Sequence, residues 1–487
     1  MSSFKEKVSN NKNEIIKVFI AIMIPIIGVT LMLAINGVNI FELSIINEQC
    51  NDELFYYKQI EGILSYGHPK GYWGFNESHA MYGNFAAWNP TILLPQLLFA
   101  RIFGLSDISP FFVNIFVFSV AFLIFTLMTK PSIKQLIMVG LTFLSYSMAT
   151  RYLLSVMPES NVAALFFIYC SLLYNYRKTG SNKVIMASYV ILALLTMMRG
   201  YYAVFSLLSI ALFIEKRDKK KAVAQIIITI VSAIIFLLVN KYFTAAYFEP
   251  IVHFDWIRNP SLIPIYINSG INTTIYFIKE ALKFNAMRGS FYICYLVLGI
   301  ILLVKTLKER KLVHVGIMAC WVVLMLAMWL IYTPVEGSRH LMDIELVGIL
   351  FLPLLINKIW LEAAIIVISV LLTWCSKDTF YTDLPIRDNG FIEEINSQEL
   401  HEKMPLSENP WDNTVIWVYS LNHNELYNLP VGFGINCCLE EYIINNIDSL
   451  KAKYIAVSKG TELENIIDFG VYDIIADYGN IIIYRIR

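Results

Sequence analysis

Asn51-Asp52-Glu53 sets two adjacent carboxylates shortly after the first long apolar run of the chain, residues 18–35. A carboxylate beside an attacking hydroxyl can take its proton, which is the work of a general base. The same stretch carries Tyr56, Tyr57, Tyr66, Tyr72, Trp73, Tyr82 and Trp88. Aromatic faces beside amides suit sugar rings, which have apolar faces and polar rims. Residues 68–90, with His68, His79, Gly and Asn among the aromatics, read as an ordered loop and not a helix. Three further short motifs hold charge next to apolar runs: Met157-Pro158-Glu159-Ser160, Arg199-Gly200 and Gly337-Ser338-Arg339-His340. Arginine presents a planar fork of donors that matches phosphate oxygens. Each feature also has a plainer explanation. Acids suit the first turn of a solvated helix, arginines at a membrane surface snorkel to headgroups, and aromatics form interfacial belts.

The elements that must position these residues are membrane spans. Of 487 residues, 57% are hydrophobic and 16% charged, against about 25% charged in a soluble domain. Net charge is zero, which gives no electrostatic footprint for nucleic acid. The seven cysteines are scattered; Cys437-Cys438 lack metal-ligand spacing, so neither a zinc site nor a disulfide framework is expected. Apolar runs fall at 18–35, 111–128, 136–149, 162–174, 184–198, 201–214, 222–239, 291–304, 313–332, 344–356 and 359–374. These are eleven candidate transmembrane helices, several shorter than the ~20 residues of a straight span. With the N-terminus in the cytoplasm, 19 Lys and Arg fall in the inner segments, while the short outer loops hold Arg151, Arg199 and Arg339. This bias follows the positive-inside rule. It sends the loops at 37–110 and 242–290, and everything after 376, to the outside.

Residues 376–487 change character. Strand-length apolar runs at 415–419, 454–458, 472–476 and 481–486 alternate with helical stretches at 440–447 and 462–469, and Tyr478-Gly479-Asn480 reads as a hairpin turn. The expected architecture is a polytopic α-helical membrane domain, residues 1–375, followed by a small extracytoplasmic α/β domain, residues 376–487. Asn76-Glu77-Ser78 and Asn272-Thr273-Thr274 match the glycosylation sequon.

The layout resembles the GT-C class of polytopic glycosyltransferases, which includes protein O-mannosyltransferases and lipid A aminoarabinose transferases. The matching pieces are the acidic Asn51-Asp52-Glu53, Pro158-Glu159-Ser160, Met197-Met198-Arg199-Gly200 and Gly337-Ser338-Arg339-His340. The resemblance implies a polyprenyl-phosphate-linked sugar as donor, a cell-surface glycan, lipid or protein as acceptor, and a site at the outer face of the plasma membrane. It implies general base or acceptor positioning for Asp52, with Glu53 second. It assigns acceptor or metal contact to Glu159, joined by His79, and binding of the donor phosphate to Arg199 and Arg339. His340 departs from the Tyr that often follows this arginine in the class. Class members differ in their need for a divalent cation, so the cofactor is left open.

Other functions compete. An O-antigen-type polymerase or ligase also acts at the outer face, but typically lacks an acidic pair after the first span and a sizeable C-terminal domain. A transporter predicts internal repeats and broken, charged helices at mid-membrane, and no repeat is present. A non-catalytic assembly protein is opposed only by the charged short loops.

Overall fold

The computed structural model describes residues 2–43, 52–67, 73–77, 90–106, 108–243, 255–285, 288–331, 339–355, 359–377, 382–384, 386, 400, 402–418, 429–467, 471–477 and 481–486. The chain divides into two compact units. One comprises Met1–Asn39, Pro110–Leu237 and Glu249–Leu384; the other comprises Ile40–Ser109, Leu238–Phe248 and Pro385–Arg487.

The first unit is helical. Its elements are α1 (Ser2–Asn36), α4 (Ser109–Thr129), α5 (Ile133–Ser145), α6 (Ser147–Leu153), α7 (Glu159–Thr179), α8 (Asn182–Met198), α9 (Ser206–Glu215), α10 (Lys219–Phe243), α11 (Asp255–Arg258), α12 (Ile263–Leu282), α13 (Arg288–Glu309), α14 (Leu312–Leu330), α15 (Arg339–Leu355) and α16 (Ile359–Thr373). In the other unit, α2 (Asp52–Tyr66) and α3 (Leu94–Phe103) precede the chain's return at the tail. Each of the eleven apolar runs lies, among the described residues, mostly on helical structure. Among the described residues, Lys12–Asn36, Ser109–Thr129, Lys219–Tyr242 and Leu312–Leu330 are each long and apolar enough to cross a membrane, and α5 with α6 makes a fifth candidate bent by 79°.

That bend corrects the single helix expected at 136–149. Tyr146 adopts an extended conformation and interrupts the ladder. In an apolar environment the freed backbone groups must find partners within the protein, and α16 supplies them. Ser369 Oγ and Thr373 Oγ1 donate to the Ser145 carbonyl at 3.1 and 3.0 Å, and the Ser147 N–H donates to Thr373 Oγ1 at 3.2 Å. The Trp374 indole donates to the Leu144 carbonyl at 3.1 Å. The segment 242–290, read from the sequence as a loop, carries the 20-residue helix α12, which packs on α13 and α14. The core of the unit is aromatic: Phe122 meets Phe143 and Phe167 edge-on at 5.3 Å, and Phe125 stacks on Phe167 at 4.8 Å. Between helices in lipid such close packing, not water exclusion, holds the bundle together.

The second unit is built on a six-stranded sheet. Its strands are β1 (Trp73–Phe75), β2 (Thr414–Val418), β3 (Gly434–Cys438), β4 (Tyr454–Ser458), β5 (Tyr472–Asp477) and β6 (Ile481–Ile486), in the order β1-β3-β2-β4-β6-β5. The first four in that order are parallel, and β6 runs antiparallel to both β4 and β5. The helices α17 (Glu440–Asn446) and α18 (Glu462–Ile466) connect strands. The β5–β6 hairpin matches the expectation, though its turn at 478–480 lies outside the described residues. Strands β1 and β3 were not anticipated. Gly434-Ile-Asn-Cys-Cys438 is poor in β-branched residues, and its place in the sheet comes from full burial.

The loop after α1 is integral to this sheet. Asn76 and Glu77 both take positive φ, at 47° and 54°, and turn the chain directly after β1. The buried Glu77 carboxylate accepts the N–H groups of Lys451 and Ala452 at 2.7 and 2.9 Å, and its own N–H donates to Asn436 Oδ1 at 2.7 Å. Asn76 Oδ1 accepts the Leu439 N–H at 3.1 Å, so this sequon asparagine is part of a structural latch. Asn272, the other sequon residue, lies on α12.

Candidate functional site

Helices α7 and α8 form an antiparallel pair joined by a tight turn in which Gly180, at φ 69°, takes the left-handed conformation that favours glycine. The pairing returns the end of α8 to the level at which α7 begins. Glu159 is the first residue of α7, and Arg199 directly follows α8 in an extended conformation. Forty residues apart in sequence, they meet: Arg199 Nη2 donates to Glu159 Oε1 at 2.6 Å, with side-chain exposures of 4% and 0%. Gly200 lets the chain pass close to Phe236, since a Cβ there would sit 2.6 Å from the ring.

The surroundings of this ion pair are polar and buried. Asn161 Nδ2 donates to Asn114 Oδ1 at 3.1 Å, and Asn114 Nδ2 donates to the Ser155 carbonyl at 2.7 Å. Arg151, assigned from the sequence to a short outer loop, lies on α6, where its Nη1 donates to the Leu154 carbonyl at 2.7 Å. Glu159 Oε2, Ser160 Oγ and Asn161 Oδ1 are buried and have no hydrogen-bond partner among the described residues. Burying a charge pair costs several kcal/mol per ion, so a pair that also leaves polar atoms unsatisfied is under strong pressure to find further partners.

Helix α15 runs beside α7 in the same direction. Phe351 contacts Phe167 and Tyr174 in turn, and the α15 C-terminus, at Leu355, lies by Lys305, in the wall of the cavity that Arg177 of α7 also lines. The start of α15, at Arg339, therefore falls at the same end of the bundle as Glu159; the Arg339 side chain is outside the described residues. One residue that the sequence did not single out is Glu345 on α15, fully buried, with its Oε2 accepting the Tyr146 hydroxyl at 3.1 Å. An acid within an apolar run is the signal that could have found it.

Asp52 opens α2 and Glu53 follows it. Glu53 is 3% exposed, which removes the explanation of a solvated helix start. The Asp52 side chain and all of His79 lie outside the described residues. Helix α2 is fastened to the tail within its own unit: Lys58 Nζ donates to the Leu429 carbonyl at 3.1 Å and pairs with Glu61 at 2.9 Å, and the Tyr66 hydroxyl donates to the Val431 carbonyl at 3.3 Å. Burial pushes the Cys438 thiol of this unit up to about 12, which suits a packing residue. Among the described residues, no three His, Cys, Asp or Glu side chains gather where a metal ion could bind.

The helical unit and the small α/β unit are similar in fold to solved membrane transferases of the GT-C class. The chain matches the Archaeoglobus fulgidus oligosaccharyltransferase, solved with Zn and sulfate, at a TM-score of 0.55 and 10% identity, over 89% of this chain and 68% of that one. It matches the same transferase tethered to an acceptor peptide containing the NVT sequon at a TM-score of 0.52 and 11% identity, over 90% and 69%. ArnT from Cupriavidus metallidurans bound to undecaprenyl phosphate matches at a TM-score of 0.51 and 9% identity, over 94% and 97%. No protein-family model matches the sequence, and no curated protein matches it. At these identities the likeness is one of fold.

Proposed function

We propose that the chain is a membrane glycosyltransferase. It moves a hexosyl or pentosyl unit from a polyprenyl-phosphate donor to a glycan, lipid or protein acceptor at the outer face of the plasma membrane. The observation that carries this is the buried Arg199–Glu159 pair at one end of a bundle with the GT-C fold. Support for a lipid-linked donor comes from ArnT, bound to undecaprenyl phosphate, and for an acceptor from the oligosaccharyltransferase, tethered to a peptide. The bundle has eleven spans in this reading, with the N-terminus in the cytoplasm and the tail outside.

In the reaction, an acceptor nucleophile, such as a hydroxyl, attacks the anomeric carbon of the sugar. The bond from that carbon to the phosphate oxygen breaks, and the lipid phosphate leaves with the bonding electrons. Arg199, aimed by Glu159, and Arg339 stabilise the charge that develops on the phosphate. Asp52 takes the proton from the nucleophile, with Glu53 beside it, and Glu159 and His79 contact the acceptor. Any divalent cation would draw on Asp52, Glu159 or His79, and Arg199 at 2.6 Å competes with it for the Glu159 carboxylate. Addition and removal of chelator tests that requirement directly.

The decisive assay uses the purified protein with a labelled polyprenyl-phosphate sugar and envelope extract as acceptor. Asp52→Asn should abolish transfer and leave thermal unfolding unchanged; an active variant sinks the assignment. Arg339→Ala and Arg199→Lys should each raise KM for the donor, and unchanged values for both would reject the phosphate role. Growth of a long polymer in place of single transfers would favour a polymerase.

A further inference from the structure

At the far end of α7 the bundle interior opens into a cavity of about 230 Å³, between α7, α9, α13, α14 and α15. Its wall is hydrocarbon over most of its length, with Leu173, Leu212, Leu298, Leu324 and Phe351 among the lining residues. Two polar side chains in the wall satisfy each other's backbones. The Tyr295 hydroxyl donates to the Trp321 carbonyl at 2.5 Å, and the Trp321 indole donates to the Tyr295 carbonyl at 2.9 Å.

Three cationic or protonatable side chains collect at one end: Arg177 in the last turn of α7, Lys305 near the end of α13 and His314 in the first turn of α14. Arg177 and Lys305 both lie within electrostatic range of His314. They are underused. His314 is 7% exposed, and its Nδ1 has no hydrogen-bond partner among the described residues. Its Nε2 stands 3.9 Å from Glu309, too far for a hydrogen bond. Glu309 is itself held by Lys311 at 2.8 Å. Among the described residues Lys305 Nζ makes one long contact, to the Leu355 carbonyl at 3.4 Å. Arg177 forms neither a hydrogen bond nor an ion pair among the described residues.

We propose that this cavity binds an anionic phospholipid, with an acyl chain along the hydrocarbon wall and the phosphate against Arg177, Lys305 and His314. An amphiphile matches the surface, because its apolar length and its anionic end meet the wall and the cations in one continuous site. Basic pockets between membrane helices are suited to lipid headgroups for this reason. The site is separate from the Arg199–Glu159 pair. Glu159 and Arg177 are eighteen residues apart on one helix, so about 27 Å of rise separates them, and one phosphate cannot serve both. The bound lipid therefore belongs to the opposite leaflet from the proposed donor, and it steadies the packing of α7 against α13, α14 and α15.

Delipidated full-length protein is titrated with phosphatidylglycerol, phosphatidylcholine of the same chains, or inorganic phosphate, and followed by native mass spectrometry and thermal unfolding. Phosphatidylglycerol should be retained and should raise Tm, while the other two should not. Arg177→Gln and Lys305→Gln, both at half-buried positions, should each weaken its retention roughly fivefold. Cys170→Phe, which fills the cavity and leaves the cations in place, should also block it. Equal retention of both lipids, or undiminished retention by the Arg177→Gln/Lys305→Gln double variant or by Cys170→Phe, would overturn the proposal. An equal Tm shift with inorganic phosphate would reassign the site to free phosphate. None of these outcomes bears on the transfer reaction, which is assayed separately.

Discussion

Arg199 and Glu159 hold each other in an environment that punishes either one alone. Glu159→Gln leaves the guanidinium buried without its counter-charge, so thermal or denaturant unfolding in detergent should show a loss of roughly 3–5 kcal/mol. The double variant Glu159→Leu/Arg199→Leu removes both charges and should recover most of that stability, since paired apolar substitution is often near neutral. If the pair serves the reaction, transfer activity will not recover with it. Cys438 offers a simpler check at the same scale. Its buried thiol, raised to about 12, should resist iodoacetamide at neutral pH in the folded protein, while the exposed Cys375 should react. The reason is that the thiolate is the nucleophile and burial disfavours it.

Two elements depend on single residues for their placement. The α7–α8 hairpin leads into a six-residue 3-10 turn, Gly200–Phe205, and the approach to Phe236 leaves no room for a Cβ at Gly200. Gly200→Ala should cost about 1–3 kcal/mol, as overpacking typically does. It should lower activity more than a surface substitution, because Arg199 is the adjacent residue. In the other unit, Glu77 pins β1 to the sheet. Glu77→Ala leaves two backbone N–H groups unpaired, at about 1–3 kcal/mol each. Limited proteolysis between α2 and α3 should accelerate accordingly; an unchanged rate would mean that the Trp73–Phe75 pairing alone holds the loop. The latch also predicts that Asn76 accepts no glycan despite its sequon, since its side chain already accepts the Leu439 N–H; a mass shift on Asn76 in protein made in a glycosylating host would refute this.

For the whole molecule, the charge bias of the loops makes a prediction that the helices alone do not. A reporter fused after Arg487 should be active only outside the cytoplasm if the spans number eleven, and activity inside would require an even number. Helix α12, 20 residues long and packed on α13 and α14, is not among the helices apolar enough to cross a membrane, so in this reading it leaves that parity unchanged.

Much of this organisation was legible in the chain itself. Among the described residues the long apolar runs before 376 are mostly helical, as segments that must satisfy their own backbone in lipid should be, and four strands of the tail announced themselves by short apolar runs between turn residues. The motifs holding Glu159 and Arg199 were visible as charges at the edges of apolar runs. Their contact was not, because it depends on two helices of 21 and 17 residues folding back on each other across Gly180. The break at Tyr146 stayed hidden for the same reason: its cost is met by Ser369, Thr373 and Trp374, more than 200 residues away. The burial of Glu345, of Glu53 and of the Gly434–Cys438 strand likewise depends on distant neighbours. Local composition determined which segments form apolar helices and which form strands, since hydropathy and propensity act along a few turns of chain. Which charges are paired and buried, and where the cations of α7, α13 and α14 converge, was decided only by tertiary packing, since electrostatic and steric complementarity exist only between surfaces already brought together.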